Sequence, residues 1–129
     1  MELERAFSGS SWEREIGYCR AVRAGDLVFI SGTAAVAEGG GVHAPGEAYE
    51  QTVHCLGIIR RALENLSVPM DNIVRTRIFV TDISRWEEYA RAHREHFADN
   101  PPATAMIEIK GLMDPGMVVE IEADAVVSR

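Results

Sequence analysis

The sequence predicts one α+β domain, residues 1–129, in which a mixed β-sheet carries two α-helices on one face. Three observations lead to this fold class. Two segments repeat apolar residues at three- and four-residue spacing, and five segments are rich in β-branched and aromatic residues. These segments follow one another in the order ββαβαββ. The chain is also long enough for one hydrophobic core but short for two. Each helix must bury its apolar stripe, so one side of a shared sheet is the simplest position for both.

The first two predicted strands form a β-hairpin. The strand-like run Ile16–Val22 is followed by a turn signal at residues 24–26 and then by the apolar run Leu27–Gly32. A polar segment containing Ser8, Ser10 and Ser11 precedes this hairpin, and no element is predicted there. Residues 37–46 contain three consecutive glycines and a Pro-Gly pair, which predict a surface loop.

The two helices are predicted over Glu47–Asn65 and from Ser84 to about Phe97. Ser84 and Glu87 fit a capping box at the start of the second helix, and Pro101 and Pro102 follow its end. The stripe predicted for the first helix is Ala48, Thr52, Cys55, Leu56, Ile59, Ala62 and Leu63. The stripe predicted for the second is Trp86, Tyr89, Ala90, His93 and Phe97.

The remaining strands are predicted over Ile73–Thr81, Ala103–Ile109 and Met117–Val127. Side chains alternate along a strand, so each strand divides into a core set and a second set. The predicted core sets are Val74, Thr76, Ile78 and Val80; Ala105, Ile107 and Ile109; and Val119, Ile121, Ala123 and Ala125. The second sets are Arg75, Arg77, Phe79 and Thr81; Thr104, Met106 and Glu108; and Glu120, Glu122 and Asp124. This half-polar second face favours a subunit interface, and the alternative is a solvated face with surface ion pairs.

Composition and charge argue against several functions. The chain has 13 basic and 20 acidic residues, a net charge of −7, which disfavours binding along a nucleic-acid backbone or to an anionic membrane. It has no apolar leader and no run of about 18 apolar residues, so we expect a cytoplasmic protein with no membrane partner. In that reducing compartment Cys19 and Cys55 are predicted to be free thiols.

The motifs of metal and cofactor chemistry are missing from the sequence. The four histidines lack the spacing of a zinc site, and no Gly-Lys-Ser/Thr follows the glycine run. No serine or cysteine lies in the pattern of a nucleophile elbow or catalytic triad. The sequence therefore predicts neither a metal nor a cofactor.

One carboxylate remains as a candidate for chemistry. Glu120 lies among apolar residues of the last strand, where partial desolvation would raise its pKa and let it hold and deprotonate a water molecule. The alternative is that Glu120 forms an interface ion pair with Arg75 or Arg77. The sequence leaves both interpretations open.

Several blocks of sequence, in the right order, resemble the RidA/YjgF family of reactive-intermediate (enamine and imine) deaminases and their relatives. The resemblance covers nearly the whole chain. The blocks are Gly17–Val22 with Gly25–Gly32, Asp71–Thr76 with Val80–Asp82, and Pro101–Ala103 with Val119–Ala123.

This resemblance implies a chorismate-mutase-like α+β fold that assembles as a homotrimer around a central barrel. It also implies small-molecule pockets between neighbouring subunits. In active relatives an arginine binds the substrate carboxylate, a glutamate positions water, and a tyrosine and a serine line the cavity. The imine is hydrolysed to a 2-oxo acid and ammonia.

Carried over to this chain, the resemblance assigns the pocket tyrosine, serine and glutamate to Tyr18, Ser31 and Glu120. Thr104 stands where active relatives have the arginine. Two further pocket positions depart from the pattern, with Met106 in place of a cysteine and Ala90 in place of an asparagine. Arg20 lies two residues after Tyr18 and is a candidate to compensate for the missing arginine.

Three functions follow from the resemblance. The first is a homotrimer whose pocket has lost the arginine and takes a ligand other than a 2-imino acid. The second is enamine or imine deamination, or related hydrolysis, with Glu120 holding water. The third is the ribonuclease activity often attached to this family, which the acidic balance and the lack of a His/His or His/Lys pair argue against.

Overall fold

The computed structural model describes residues 2–127, whose strands form one six-stranded sheet in the order β1-β2-β3-β6-β4-β5. Neighbouring strands are antiparallel except for β4 and β5, which are parallel. The strands are β1 (Leu3–Ala6), β2 (Ala21–Ala24), β3 (Leu27–Ala34), β4 (Ile73–Val80), β5 (Ala103–Glu108) and β6 (Val119–Val126).

Three helices accompany the sheet: α1 (Ser11–Ile16), α2 (Ala48–Asn65) and α3 (Trp86–Phe97). The two longer helices pack together, and α2 covers the centre of the sheet. Every residue of the stripe predicted for α2 is buried, so that prediction is confirmed. No helix among residues 2–127 is long and apolar enough to cross a membrane. Cys19 and Cys55 are free thiols.

The amino-terminal segment differs from the prediction. The run predicted as a strand from Ile16 to Val22 is divided between the end of α1 and the start of β2. The Ser10 hydroxyl accepts a hydrogen bond from the Trp12 amide and caps α1, and Gly17 ends the helix at a φ of 93°. These local caps outweigh the strand composition. The segment before the predicted hairpin also contains β1, an element that was not predicted, which pairs with β2 at the sheet edge.

The start of α3 differs from the predicted capping box. Ser84 lies in a short 3₁₀ turn, Ile83–Arg85, and donates its hydroxyl to Asp82 instead of capping α3. The turn shifts the helix so that Trp86 is 53% exposed and does not join the core. Tyr89 and Phe97 are buried as predicted.

The face assignment predicted for β5 is wrong. Thr76 of β4 pairs in parallel register with Thr104, which places Thr104 and Met106 on the helix side of the sheet together with Thr76. Ala105 and Ile107 therefore share the second face with Arg77. Because side chains alternate, a difference of one residue in register exchanges the two faces, and strand composition alone does not specify the register.

Two further residues, Val74 and Glu108, lie in positions that differ from those predicted. Val74 was predicted in the core, but a β-bulge between Ile73 and Arg75 leaves it 48% exposed. Glu108 was predicted on the second face, but its carboxylate accepts a hydrogen bond of 2.9 Å from the Ile83 amide on the helix side. The core set predicted for β6 is buried throughout, as predicted.

Candidate functional site

A cavity of about 440 Å³ opens between α1, β3 and β6. Four of the predicted site residues line it: Tyr18, Arg20, Ser31 and Glu120. We call this space the acidic cavity because Glu120 and Glu122 both border it. The resemblance assigned Tyr18, Ser31 and Glu120 to one pocket and made Arg20 a candidate for it, and the fold places all four along one cavity of a single chain.

Arg20 is buried in the wall of the acidic cavity, and its five N–H groups are all engaged. Its Nε and Nη2 donate to a Glu13 carboxylate oxygen at 3.1 and 3.0 Å. Its Nη1 donates to the Gly32 carbonyl at 2.7 Å and to the Thr33 hydroxyl at 3.2 Å, and Nη2 also donates to the Tyr18 hydroxyl at 3.3 Å. A guanidinium has five N–H donors, so Arg20 has none left for a ligand.

Glu13 anchors this arrangement from α1. It is 4% exposed and accepts hydrogen bonds from the Ser8 amide and hydroxyl in addition to Arg20. Burial alone would raise the pKa of Glu13, but the hydrogen bonds from Ser8 and Arg20 outweigh it and lower the pKa. Glu13 is therefore a buried anion whose charge balances that of Arg20. Glu13 was not among the predicted site residues, because it lies before the predicted hairpin, where no element was predicted.

Glu120 has a different environment. No side-chain hydrogen bond or ion pair holds its carboxylate within residues 2–127. Burial raises the pKa of Glu120, the nearby Glu122 raises it further, and Arg20 opposes both. The predicted alternative was an interface ion pair with Arg75 or Arg77. Within residues 2–127 neither arginine pairs with Glu120, and Arg77 contacts Glu122 at 3.2 Å and Asp124 at 3.6 Å. An ion pair with Glu120 across an interface stays a prediction.

Gly32 makes room for the Glu120 carboxylate. A Cβ atom added to Gly32 would lie 2.6 Å from Oε1 of Glu120, closer than real Cβ contacts. Beside it, Ser31 donates its hydroxyl to the Cys19 carbonyl at 2.8 Å. The absence of a side chain at Gly32 thus lets the carboxylate lie along β3 at the border of the cavity.

Thr104 lies in a second region, on the other side of the sheet. Its hydroxyl is 2.8 Å from that of Thr76, which is in turn 2.8 Å from Nε2 of His93 on α3. The Thr104 hydroxyl also donates to the Pro102 carbonyl at 3.2 Å. We call Thr76, His93 and Thr104 the threonine–histidine cluster. Burial, followed by the nearby His96, lowers the pKa of His93 from 6.5 to about 4, so the cluster is neutral at pH 7.

Sequence reasoning assigned His93 only to a helix stripe and Thr76 only to a core set. A hydroxyl among the apolar core residues of β4 was the signal that a polar partner faces it from α3. Met106 is half-buried against the core, and Ala90 is half-buried on α3. None of these residues borders the acidic cavity of the same chain.

A larger groove of about 850 Å³ lies between residues 7–12, the glycine-rich loop and α2. None of the predicted site residues borders it. His43 of this loop stacks on His54 of α2, with 4.0 Å between the ring centres, and holds the loop beside the groove. Among residues 2–127 no group of three or more metal-ligating side chains converges.

The fold and the acidic cavity define a class of small α+β proteins: a mixed sheet, two helices on one face, and a carboxylate-bearing cavity at the other. The sequence matches the family described as Endoribonuclease L-PSP over residues 10–127. The chain belongs to this family, which is the RidA/YjgF family predicted from the sequence, and the predicted fold is confirmed.

Individual relatives span almost the whole chain. An uncharacterized protein of Streptomyces coelicolor, SCO2049, is 32% identical over 95% of this chain and 91% of its own. The RutC family protein y4sK of Sinorhizobium fredii is 30% identical over 82% of this chain and 83% of its own. The crystal structure of Rv2704 from Mycobacterium tuberculosis, a YjgF/YER057c/UK114 family member, is 40% identical, with a TM-score of 0.88 over 98% of this chain and all of that one.

Proposed function

We propose that this chain forms a homotrimer with small-molecule pockets between subunits, and that its ligand is not a 2-imino acid. Each pocket would join the acidic cavity of one protomer to the threonine–histidine cluster of the next. The observation that carries the proposal is that all five N–H groups of Arg20, the arginine that lines the acidic cavity, are engaged among residues 2–127. By the resemblance, Thr104 stands where active relatives have the arginine, so the threonine–histidine cluster would contribute no guanidinium.

The magnitude of this loss supports a changed ligand. A bidentate arginine–carboxylate contact contributes roughly 1.5–3 kcal/mol, so its absence weakens carboxylate binding by about tenfold to over a hundredfold. Recruiting Arg20 would require breaking its contacts with Glu13, Gly32, Thr33 or Tyr18. Its position favours a structural role, in which it supports the cavity wall and orients Tyr18.

Assembly is supported by the second face of the sheet. Leu27, Phe29 and Val126 are 48%, 49% and 39% exposed there, beside the ion pairs of Arg77. Exposed apolar groups interleaved with charges are typical of subunit interfaces. Light scattering should give the mass of three 14.2 kDa chains. Phe29→Asp should yield monomers, whereas Glu64→Gln on the exposed side of α2 should not. A monomeric wild-type protein would contradict the assembly.

Imine hydrolysis tests the changed ligand. We expect purified protein, supplied with 2-imino acids by an amino-acid oxidase, to hydrolyse them at least about tenfold more slowly than an active family member. Thr104→Arg should raise the rate. A wild-type rate equal to that of the active relative would overturn the proposal.

A second candidate is hydrolysis of another enamine or imine. The unpaired Glu120 favours it, because a carboxylate with a raised pKa can accept a proton from water near neutral pH. Turnover separates the two candidates: hydrolysis requires the Glu120 carboxylate and should be lost in Glu120→Ala, whereas a protein that only binds its ligand shows no hydrolysis in either form. Ribonuclease activity is disfavoured because the carboxylates of the cavity repel phosphate. RNA cleavage that persists through purification and is lost in Glu120→Ala would argue for it.

A further inference from the structure

The ion pairs around the acidic cavity leave an excess of negative charge. Arg20 is balanced by Glu13 at 3.0 Å, whereas the single charge of Arg77 is shared between Glu122 at 3.2 Å and Asp124 at 3.6 Å. Glu120 has no ion-pair partner among residues 2–127. Within these residues the border of the cavity therefore carries more negative than positive charge, and the guanidinium groups of Arg20 and Arg77 are already paired.

The threonine–histidine cluster adds no positive charge. Its hydroxyls are neutral. His93 is half-buried and has a pKa of about 4, so its imidazole is neutral at pH 7. The cluster offers one exposed hydroxyl, that of Thr104, which suits a neutral hydrogen-bonding group of a ligand. Among residues 2–127, a ligand carboxylate would find no unpaired positive charge in either region.

The other walls of the acidic cavity include aromatic and thioether groups as well as aliphatic side chains. Trp12, Tyr18, Met113 and Met117 border it. The guanidinium of Arg20 already lies 5.2 Å from the centre of the Tyr18 ring, whereas no cation of residues 2–127 lies over Trp12. An indole face is the strongest aromatic partner for a cation. Trp12 and Glu120 border the same cavity, so one small molecule can contact both.

We propose that the acidic cavity selects an organic cation without a carboxylate, an amine or amidine whose N–H groups donate to Glu120 while its apolar part lies against Trp12. The inference rests on the proposed function in one respect, that this cavity is where the ligand binds. It differs from binding at a simple acidic surface, because Glu120 is partly buried and a charge-assisted hydrogen bond there is stronger than in water.

Trp12 provides a direct signal for the test. The chain has two tryptophans, and Trp86 lies outside the acidic cavity on α3. In a Trp86→Phe background, the fluorescence of Trp12 is titrated with benzamidine, benzyl alcohol and benzoate, which are similar in size and carry positive, zero and negative charge. We expect benzamidine to bind at least about tenfold more tightly than benzoate, with benzyl alcohol between them.

Two variants connect the preference to one carboxylate. Glu120→Gln should remove most of the difference between benzamidine and benzoate. Glu64→Gln removes the same charge from an exposed position on α2 and should preserve the difference. Trp12 also borders the larger groove, so quenching by benzamidine that Glu120→Gln leaves unchanged would place the probe in that groove and overturn the inference.

The remaining outcomes separate this inference from the proposed function. Benzoate or benzyl alcohol binding as tightly as benzamidine overturns the charge preference but leaves a ligand pocket in place. If no probe changes Trp12 fluorescence up to about 10 mM, both the preference and the ligand pocket at this cavity are contradicted. The trimer is judged separately, by its mass.

Discussion

The wall of the acidic cavity and the threonine–histidine cluster are two solutions to one problem, the burial of polar side chains near the core of a small protein. In the cavity wall, Arg20 and Glu13 remain charged and balance each other, with side chains only 5% and 3% exposed. In the cluster, Thr76 and His93 are neutral and share hydrogen bonds. The first solution depends on an exact match of charges, whereas the second depends only on hydrogen-bond partners.

Neither region is suited to bind an anion. A buried charge that is already balanced has no capacity for a ligand, and a neutral cluster has no charge to offer. Only Glu120 departs from both solutions, since it is partly buried without a partner among residues 2–127. Such a group costs free energy in the unbound protein and is a candidate to gain a partner from a ligand.

The largest effect should come from breaking the charged pair. We expect Glu13→Gln to lower the free energy of unfolding by about 3–5 kcal/mol, because it leaves Arg20 buried without its counter-charge. Urea denaturation measures this loss. The double variant Glu13→Leu, Arg20→Met should recover much of it, since no charge then remains buried. A single variant as stable as wild type would show that the charged pair contributes no stability.

Removing the central hydroxyl of the neutral cluster should cost less. Thr76→Val keeps the shape of the side chain but takes away the partner of His93 Nε2, and we expect a loss of about 1–3 kcal/mol. The matched control is Thr104→Val, whose exposed hydroxyl is replaceable by water, with an expected loss below about 1 kcal/mol. Equal losses for the two variants would remove the distinction between a buried and an exposed member of the cluster.

Acid should destabilise the two regions in sequence. The folded-state pKa of His93 is lowered from 6.5 to about 4, so the unfolded state binds more protons in that range and stability falls as pH decreases from about 6.5 to 4. Glu13 also has a lowered folded-state pKa, so its contribution is present above its ordinary pKa of 4.5 and is lost as pH falls through the folded-state value.

Two variants test which group causes each part of the pH dependence of stability. His93→Gln should flatten the upper part, and the Glu13→Leu, Arg20→Met variant should flatten the lower part. Chemical denaturation at a series of pH values measures both. A profile that His93→Gln leaves unchanged above pH 4 would contradict the assignment to the cluster.

The smallest effect on stability should come from Gly32→Ala. The added Cβ meets the flexible end of Glu120, so the carboxylate can move aside, and we expect a loss of no more than about 1 kcal/mol. Binding of benzamidine should nevertheless fall, because the carboxylate leaves its position at the cavity. The control is Gly57→Ala, which meets no atom within 4 Å on α2 and should leave binding unchanged. Unchanged binding in Gly32→Ala would show that the position of Glu120 does not matter.

An element was predictable from the sequence when its own residues specify it, and was not when its position depends on contacts with other segments. The α2 stripe was predictable because one apolar period extends over 18 residues. The position of α1 was not, since six residues and two caps compete there with strand composition. The faces of β5 were assigned wrongly because register depends on how the strand pairs with β4, not on the strand itself.

The sequence by itself determined the fold class, because apolar periodicity extends over whole elements, and the family, because several blocks of residues occur in the family's order. The set Tyr18, Ser31 and Glu120 followed from that resemblance and stays a prediction. Only the tertiary structure decided what Arg20 does, since its five donors meet residues from α1, β3 and the segment before β2. It also decided that Thr104 joins Thr76 and His93 on the helix side. Composition specifies which charges a chain carries, but the packing of distant segments determines which of them are left without a partner.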